Sequence, residues 1–393
     1  MCTLAEGRPV PTCGGNCLPN PVEELLLRAV LDSPPKAVEA WRTWSAEDRL
    51  AGIETGSERL LPAVYRNFCA HGVADRRMGM LAGAYRRAWY RNHVLFDAGA
   101  KLIDQLAAAG VPVLVIKGAA LCTLHYRDIG ARPMDDVDML VAPEHARLAM
   151  TVLEQAGWRS FLTPMPPDIL SVRPSWHYVS PNGGAVDLHW RVFERSRSNE
   201  HDLWDAALPL DLARTRTRAL APAHELLLTC AHGVMWNTIS PIRWVVDAAT
   251  IVRRSEQSLD WERSVGLAQR HGLGYSASEL LAYLQREFVP EIPVAAIERL
   301  KSTAPHRRAR ITHKALLTAP SARSKIRLHW EAYRARRGTP VPGERRLGLV
   351  EFMVQRYRLD GRGQLLWFAV SKVLTWLGLS LKRAAGRRGQ LPG

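Results

Sequence analysis

An α+β fold is predicted for this chain: a mixed sheet with helices, flanked by N-terminal helices and a C-terminal helical domain. Three observations predict it. Residues 21–110 and 201–300 carry apolar residues mainly at helical spacing. Between them lie short runs of strand length, Val113 to Ile116, the DDVDMLV run ending at Val141, and Trp176 to Ser180 with Ala185 to Trp190. The last two flank Pro181-Asn182-Gly183-Gly184, a turn signal that argues for a hairpin.

The chain has 393 residues and is 47% hydrophobic, enough for a large core and two or three domains. This composition excludes a disordered or fibrous chain. Of the cysteines, Cys2, Cys13, Cys17, Cys69, Cys122 and Cys230, only Cys13 and Cys17 are closely spaced, so no zinc or disulfide framework follows. Nothing near Met1 has the basic and apolar segments of a signal peptide, so a cytoplasmic location is expected.

Residues 1–20, rich in Pro, Gly and Cys, form a flexible lead-in. The N-terminal helical region, 21–110, contains VEELLLRAVLD, SPPKAVEAWRTW, a helix start at Ser45-Ala46-Glu47-Asp48, and apolar periodicity from Leu60 to Cys69. In Met80 to Ala109 the residues Leu81, Tyr85, Trp89, Phe96, Ile103 and Leu106 recur on one face, predicting one long helix or two. Its Arg86, Arg87 and Arg91 are assigned to a solvated face.

The core, 111–200, begins with a buried strand at Val113 to Ile116, a turn at Gly118, and a helix start at Ala119 to Leu124. That helix end points free N–H groups outward and favours anions. Gly118, without a Cβ, lets a phosphate approach the backbone, and Lys117 adds a positive charge. For the glycine alone, a plain strand–turn–helix connection is the simpler reading. The acids shift the balance. Asp136 and Asp138 lie one residue apart, so a strand puts both carboxylates on one face, an arrangement suited to a divalent cation.

Pro143 to Gly157 follows as a helix closed by glycine, then Trp158 to Leu162 as an extended segment. Residues 163–175 carry Pro164, Pro166, Pro167 and Pro174 and form a loop that borders the site. Asp187 sits between Val186 and Leu188, where a lone acid is costly to bury unless something pairs with it. Three acids on neighbouring strands hold the two-metal arrangement that phosphoryl-type transfers use. His189 shares the strand face of Asp187, where plain hydrogen bonding is at least as good a reading as contact with metal or nucleotide.

From His201 the pattern returns to helix. His224 to Trp236, Pro241 to Arg253 and Trp261 to Gly272 make a helical domain spanning 201–300. His224 and His232 lack HExxH spacing and cysteine partners, so both are assigned to the core or to support behind the site. The basic helical C-terminal region, 301–393, holds 21 Lys and Arg against four acids, while the whole chain is +15. Its clusters Arg307-Arg308, Arg334 to Arg337 and Arg345-Arg346, interleaved with Trp330, Tyr333 and Tyr357, suit a nucleic-acid backbone. Leu365 to Leu381 suits an interfacial helix beside anionic lipid, although a terminal helix docked on the helical domain ranks first.

The wording KGAAL, then Tyr126, then RPMDDVDMLV, then VDLHW resembles a bacterial uncharacterised nucleotidyltransferase family of the DNA polymerase β-type nucleotidyltransferase superfamily. The likeness covers roughly residues 50–290. It extends to the helical half, where Trp244 and Asp247 match a family pattern. It implies a nucleotidyltransferase-type mixed sheet with residues 111–200 as catalytic core.

The resemblance also implies an enzyme that moves a nucleoside monophosphate from a nucleoside triphosphate to an unidentified acceptor, a small molecule, peptide or RNA, with Mg²⁺ or Mn²⁺. Asp136, Asp138 and Asp187 would be the metal-holding catalytic acids, and Lys117, Gly118, Ala119 and Arg132 the nucleotide contacts. The loop 163–175 would shape the acceptor pocket. The family's turn usually continues with Gly or Ser, and here Ala119 removes the hydroxyl contact. Two rivals follow: an RNA-modifying toxin-type nucleotidyltransferase, or a catalytically weak scaffold that binds nucleic acid through its basic tail.

Overall fold

The computed structural model describes residues 18–46, 50, 52–235, 237, 239–302, 306–317, 322–365 and 367. Most of the lead-in, the Glu47-Asp48 end of the expected helix start, and nearly all of Leu365 to Leu381 lie outside the described residues.

The N-terminal region is helical, as α1 (Pro21–Leu31), α2 (Lys36–Ala46), α3 (Thr55–Glu58), α4 (Leu61–Ala70) and α5 (Met78–Ala108). Asn20 and Glu23 form a capping box that starts α1. The question of one helix or two is settled by α5, a single helix of 31 residues. Its buried face runs through Leu81, Asn92, Leu95, Phe96, Ile103 and Leu106, while Trp89, expected on that face, is 46% exposed. Arg91, expected in solvent, instead donates to the Gly183 carbonyl at 2.6 Å and the Asp135 carbonyl at 3.2 Å. It ties the hairpin turn to the acid loop.

Seven strands follow: β1 (Leu114–Ile116), β2 (Val137–Leu140), β3 (Arg159–Ser160), β4 (Ser175–Val179), β5 (Ala185–His189), β6 (Leu208–Leu212) and β7 (Thr215–Ala219). They form one mixed sheet in the order β3-β4-β5-β2-β1-β7-β6. β2 runs parallel to β5 and β1 parallel to β7, while the remaining neighbours are antiparallel. Within the core come α6 (Lys117–Ala120), which continues into a π-helical turn at Leu121–Tyr126, then α7 (Ala146–Gln155), and α8 (Ile169–Val172) inside the proline-rich loop.

The helical pattern expected from His201 is interrupted after the short α9 (His201–Asp205) by the β6–β7 hairpin. Its alternation, TRTRA against LPLDL, is hidden by exposed Arg216 and Arg218, and Ala213 turns the chain at φ 52°. Helices then resume as α10 (Pro222–Gly233), α11 (Arg243–Arg254), α12 (Trp261–Arg270), α13 (Gly274–Glu287), α14 (Val294–Ser302), α15 (His306–Leu317), α16 (Ala322–Gly338) and α17 (Leu349–Tyr357).

Both sheet faces are covered, which is why the central strands are apolar on both sides. Leu114, Ile116 and Leu140 face one core, shared with the N-terminal helices and α10, α11 and α13. The alternate residues Val113, Val115, Val137 and Met139 face another, shared with α5 and α7. Ala332, Tyr333 and Phe352 of the basic C-terminal region join this second core. Among the described residues, no helix is long and apolar enough to cross a membrane.

Candidate functional site

Strand register brings the acids together. In the parallel β2–β5 pair Asp138 stands opposite Asp187, and in the β1–β2 pair Ile116 stands opposite Asp138. The residue after Ile116 is Lys117, in the left-handed region at φ 53°, an uncommon state for a side chain with a Cβ. Its Nζ donates to Asp138 Oδ1 at 2.7 Å and lies 3.2 Å from His189 Nε2. That same nitrogen of His189 is 3.1 Å from Asp138 Oδ1 and 2.9 Å from Asp187 Oδ2. Asp138, Asp187 and His189 each offer a ligand atom, and these all lie within 4.8 Å of one another.

The electrostatics follow from burial and pairing. Burial opposes ionisation of Asp138, but Lys117 and His189 more than offset it and hold the carboxyl well below its ordinary range. Asp187 is lowered too, chiefly by His189 against the cost of burial. Burial and the Lys117 charge push His189 down, yet the two carboxylates win and raise it to about 9. Lys117 is likewise raised by Asp138 and Asp187 despite burial. Two cations thus balance two carboxylates at neutral pH.

Asp136 comes just before β2 and is half-buried. Its Oδ2 is 3.5 Å from His177 Nδ1, and this contact raises the histidine. Asp136, Asp138 and Asp187 all line a cavity of about 330 Å³, with Lys117, Gly118 and Arg132. The sequence therefore named three acids that share one wall, while the tight cluster substitutes His189 for Asp136.

Gly118 is needed for close approach: a Cβ there would sit 2.7 Å from Met134 Sδ and 2.9 Å from Arg132 Nη1. Ala119 is fully buried in the core shared with α5 and α7, so its methyl serves packing. Arg132 is held by Asp247, Nε to Oδ1 at 2.8 Å and Nη2 to Oδ2 at 2.9 Å, with the Tyr126 hydroxyl donating to the same Oδ1 at 2.7 Å. This bidentate pair fixes the guanidinium with Nη1 beside Gly118. Buried Asn92 of α5 steadies the approach, donating to the carbonyls of Ile129 at 2.6 Å and Arg132 at 2.8 Å.

Sequence reasoning missed three cavity or near-cavity groups, Arg59, Arg243 and Glu225, and assigned a fourth, His232, to the core or to support behind the site. Arg59 pairs with Asp135 on the wall. Arg243, donating to the Pro133 carbonyl at 2.7 Å, is lowered to about 10 by burial and by Arg132. His232 lines the cavity, where the Lys117 charge opposes its protonation. Glu225 lies under the Lys117 turn, and burial raises it to about 8. An acid in the otherwise apolar run of α10 was the available signal for Glu225.

Two carboxylates converging within one coordination shell fit a divalent cation, which His189 would join only on losing its proton. Carboxylate oxygens suit Mg²⁺ or Mn²⁺, whereas the imidazole suits softer metals.

Residues 55–288 match the family described as uncharacterised nucleotidyltransferase. No curated protein matches the chain. Among solved structures, an antigenic nucleotidyltransferase-like protein from Paracoccidioides brasiliensis is similar over 52% of this chain and 92% of its own, at 15% identity and a TM-score of 0.35.

Proposed function

We propose, from the premise that this chain belongs to the uncharacterised nucleotidyltransferase family, that it transfers a nucleoside monophosphate from a nucleoside triphosphate to an acceptor. The observation that carries this reading is the facing of Asp138 and Asp187 in register, beside Lys117 and Gly118, on the wall of one cavity. The KGAAL and DDVD motifs, which resemble those of bacterial enzymes of the DNA polymerase β type, support this reading, and a cytoplasmic setting would supply the triphosphate.

Asp138 and Asp187 would hold a divalent cation, Mg²⁺ or Mn²⁺, with Asp136 as a further donor on the same wall. Such a cation supplies charge neutralisation of the phosphate oxygens. The chain's own groups do the rest. Lys117, Arg132 and Arg243 offer positive charge to the triphosphate, and Gly118 lets it approach the backbone. An acceptor hydroxyl oxygen bonds to the α-phosphorus as the bond to the β-phosphate bridging oxygen breaks, and pyrophosphate leaves. Asp187 accepts the hydroxyl proton, its carboxylate oriented by His189 at 2.9 Å.

The C-terminal arginines weigh against a nucleic-acid-gripping tail as the main role. Arg336 is only 7% exposed, and Arg356 and Arg345 are engaged with Glu194, Asp168 and Glu351.

The test is incubation with each α-labelled nucleoside triphosphate, Mg²⁺ or Mn²⁺ and a cell extract, comparing the native chain with Asp138→Asn. Label should enter an acceptor with the native chain and not with the variant. Equal transfer by both would sink the reading.

A further inference from the structure

Asp187 stands between two cavities. The first holds Lys117, Gly118 and the other acids. A second, also of about 330 Å³, shares Asp187 with it and is lined by Leu162, Arg173, Ser175, His177, Asp187 and Arg356 among others. Asp187 is the one aspartate common to both walls. From the second side Ser175 Oγ already donates to Asp187 Oδ2 at 3.2 Å, the contact that an incoming hydroxyl would make.

The far wall is cationic. Arg173 Nη2 donates to the Arg356 carbonyl at 2.7 Å, and Arg356 Nη1 to the Val172 carbonyl at 2.6 Å. Arg356 and Arg195 both engage Glu194, and Arg358 donates to the Thr163 carbonyl. Arg356 and Arg195 thus share the one carboxylate of Glu194, with the charges of Arg173 and Arg358 close by. Burial and the neighbouring Arg356 charge hold Arg173 down at about 10, and its Nε is buried with no partner among the described residues. A second anion is what this corner lacks.

Resting on the nucleotidyl-transfer reading, we infer that the second cavity binds the acceptor, a small molecule with a phosphate or carboxylate group held by Arg173 and Arg356 and a hydroxyl directed at Asp187. The nucleotide enters from the first cavity, and the two substrates meet at Asp187. The acceptor oxygen bonds to the α-phosphorus, pyrophosphate departs into the first cavity, and the proton passes to Asp187. The cavity volume matches a small ligand. The C-terminal region therefore contributes Arg356 to substrate binding, and the proline-rich loop contributes Leu162, Arg173 and Ser175 at or beside its ends.

The experiment uses the full chain, Leu162→Trp and Arg356→Gln. Leu162 is 44% exposed, so a larger ring narrows the cavity without entering the core. A non-hydrolysable nucleoside triphosphate analogue is titrated by calorimetry, and α-labelled triphosphate is supplied with a fractionated metabolite extract. Both variants should bind the analogue within about two-fold of the native chain. Transfer into the anionic small-molecule fraction should fall at least about ten-fold, through acceptor KM more than kcat. Unchanged transfer in both variants, or label entering neutral molecules or RNA, overturns the assignment. So does loss of analogue binding in the variants, since the second cavity would then belong to the nucleotide. A native chain that binds no analogue overturns the nucleotidyl-transfer reading and this one together. If Arg356→Gln fails to fold, Leu162→Trp decides.

Discussion

Glu225→Gln should make the chain more stable relative to the native one as pH rises. Glu225 is 1% exposed, and neither carboxyl oxygen has a hydrogen-bond partner among the described residues. Burial outweighs Arg132 and the Lys117 amide, which favour the anion, and raises the acid from 4.5 to about 8. Between those values the folded chain keeps a proton that the unfolded chain has released, so stability is fully present below 4.5 and is lost as pH rises through 8. At 1.36 kcal/mol per unit, the loss from pH 5 to pH 8 is about 3 to 4 kcal/mol. For a chain of this length that is roughly 4 °C in melting temperature. Gln cannot titrate, and any cost of burying its amide shifts its curve by a constant. The difference between variant and native melting temperatures, measured at pH 5, 6, 7 and 8, cancels the other titrating groups. A difference that stays flat across that range would refute the buried neutral acid.

Three further outcomes are expected. Asp138→Asn, besides losing transfer, should cost about 1 to 3 kcal/mol in denaturant unfolding, because Lys117 loses its 2.7 Å partner in a site that solvent partly reaches; an unchanged midpoint would mean that Asp187 and Asp136 suffice to balance the ammonium. Gly118→Val should weaken binding of the triphosphate analogue and destabilise by about 1 to 3 kcal/mol through the Met134 and Arg132 contacts; calorimetry matching the native chain would show the turn to be a mere connection. Arg132→Ala leaves Asp247 buried without its bidentate partner and should cost about 3 to 5 kcal/mol, whereas a loss below about 1 kcal/mol would put the pair on a par with surface ones.

What the sequence made legible was local. The apolar run before Gly118, the PNGG turn and the spacing of Asp136 and Asp138 each encode a strand, a hairpin and a shared cavity wall within a few residues. Pairings between distant positions left no such trace. Arg132 meets Asp247 across 115 positions, and Lys117 meets His189 across 72. Lys117 was therefore expected beside the turn, and the structure binds it to the acids. The β6–β7 hairpin was missed because its strands bury only alternate residues at a sheet edge, so arginines and threonines mask the apolar signal. In the basic C-terminal region, charge counts did not show that Arg336 turns inward while Arg337, Arg345 and Arg346 stay exposed.

The first cavity is walled by Gly56 and Arg59, by residues 117–138, by Asp187 and by residues 228–247. Ser240 on its rim is bonded to Glu23 at 2.5 Å and Glu54 at 3.1 Å, so even α1 steadies it. No contiguous stretch of the chain encodes the site. A cut at 111 would take Gly56 and Arg59 from the wall, and one at 200 would take residues 228–247. The family likeness accordingly begins at residue 55 and runs to 288, taking in the flanking helices along with the sheet.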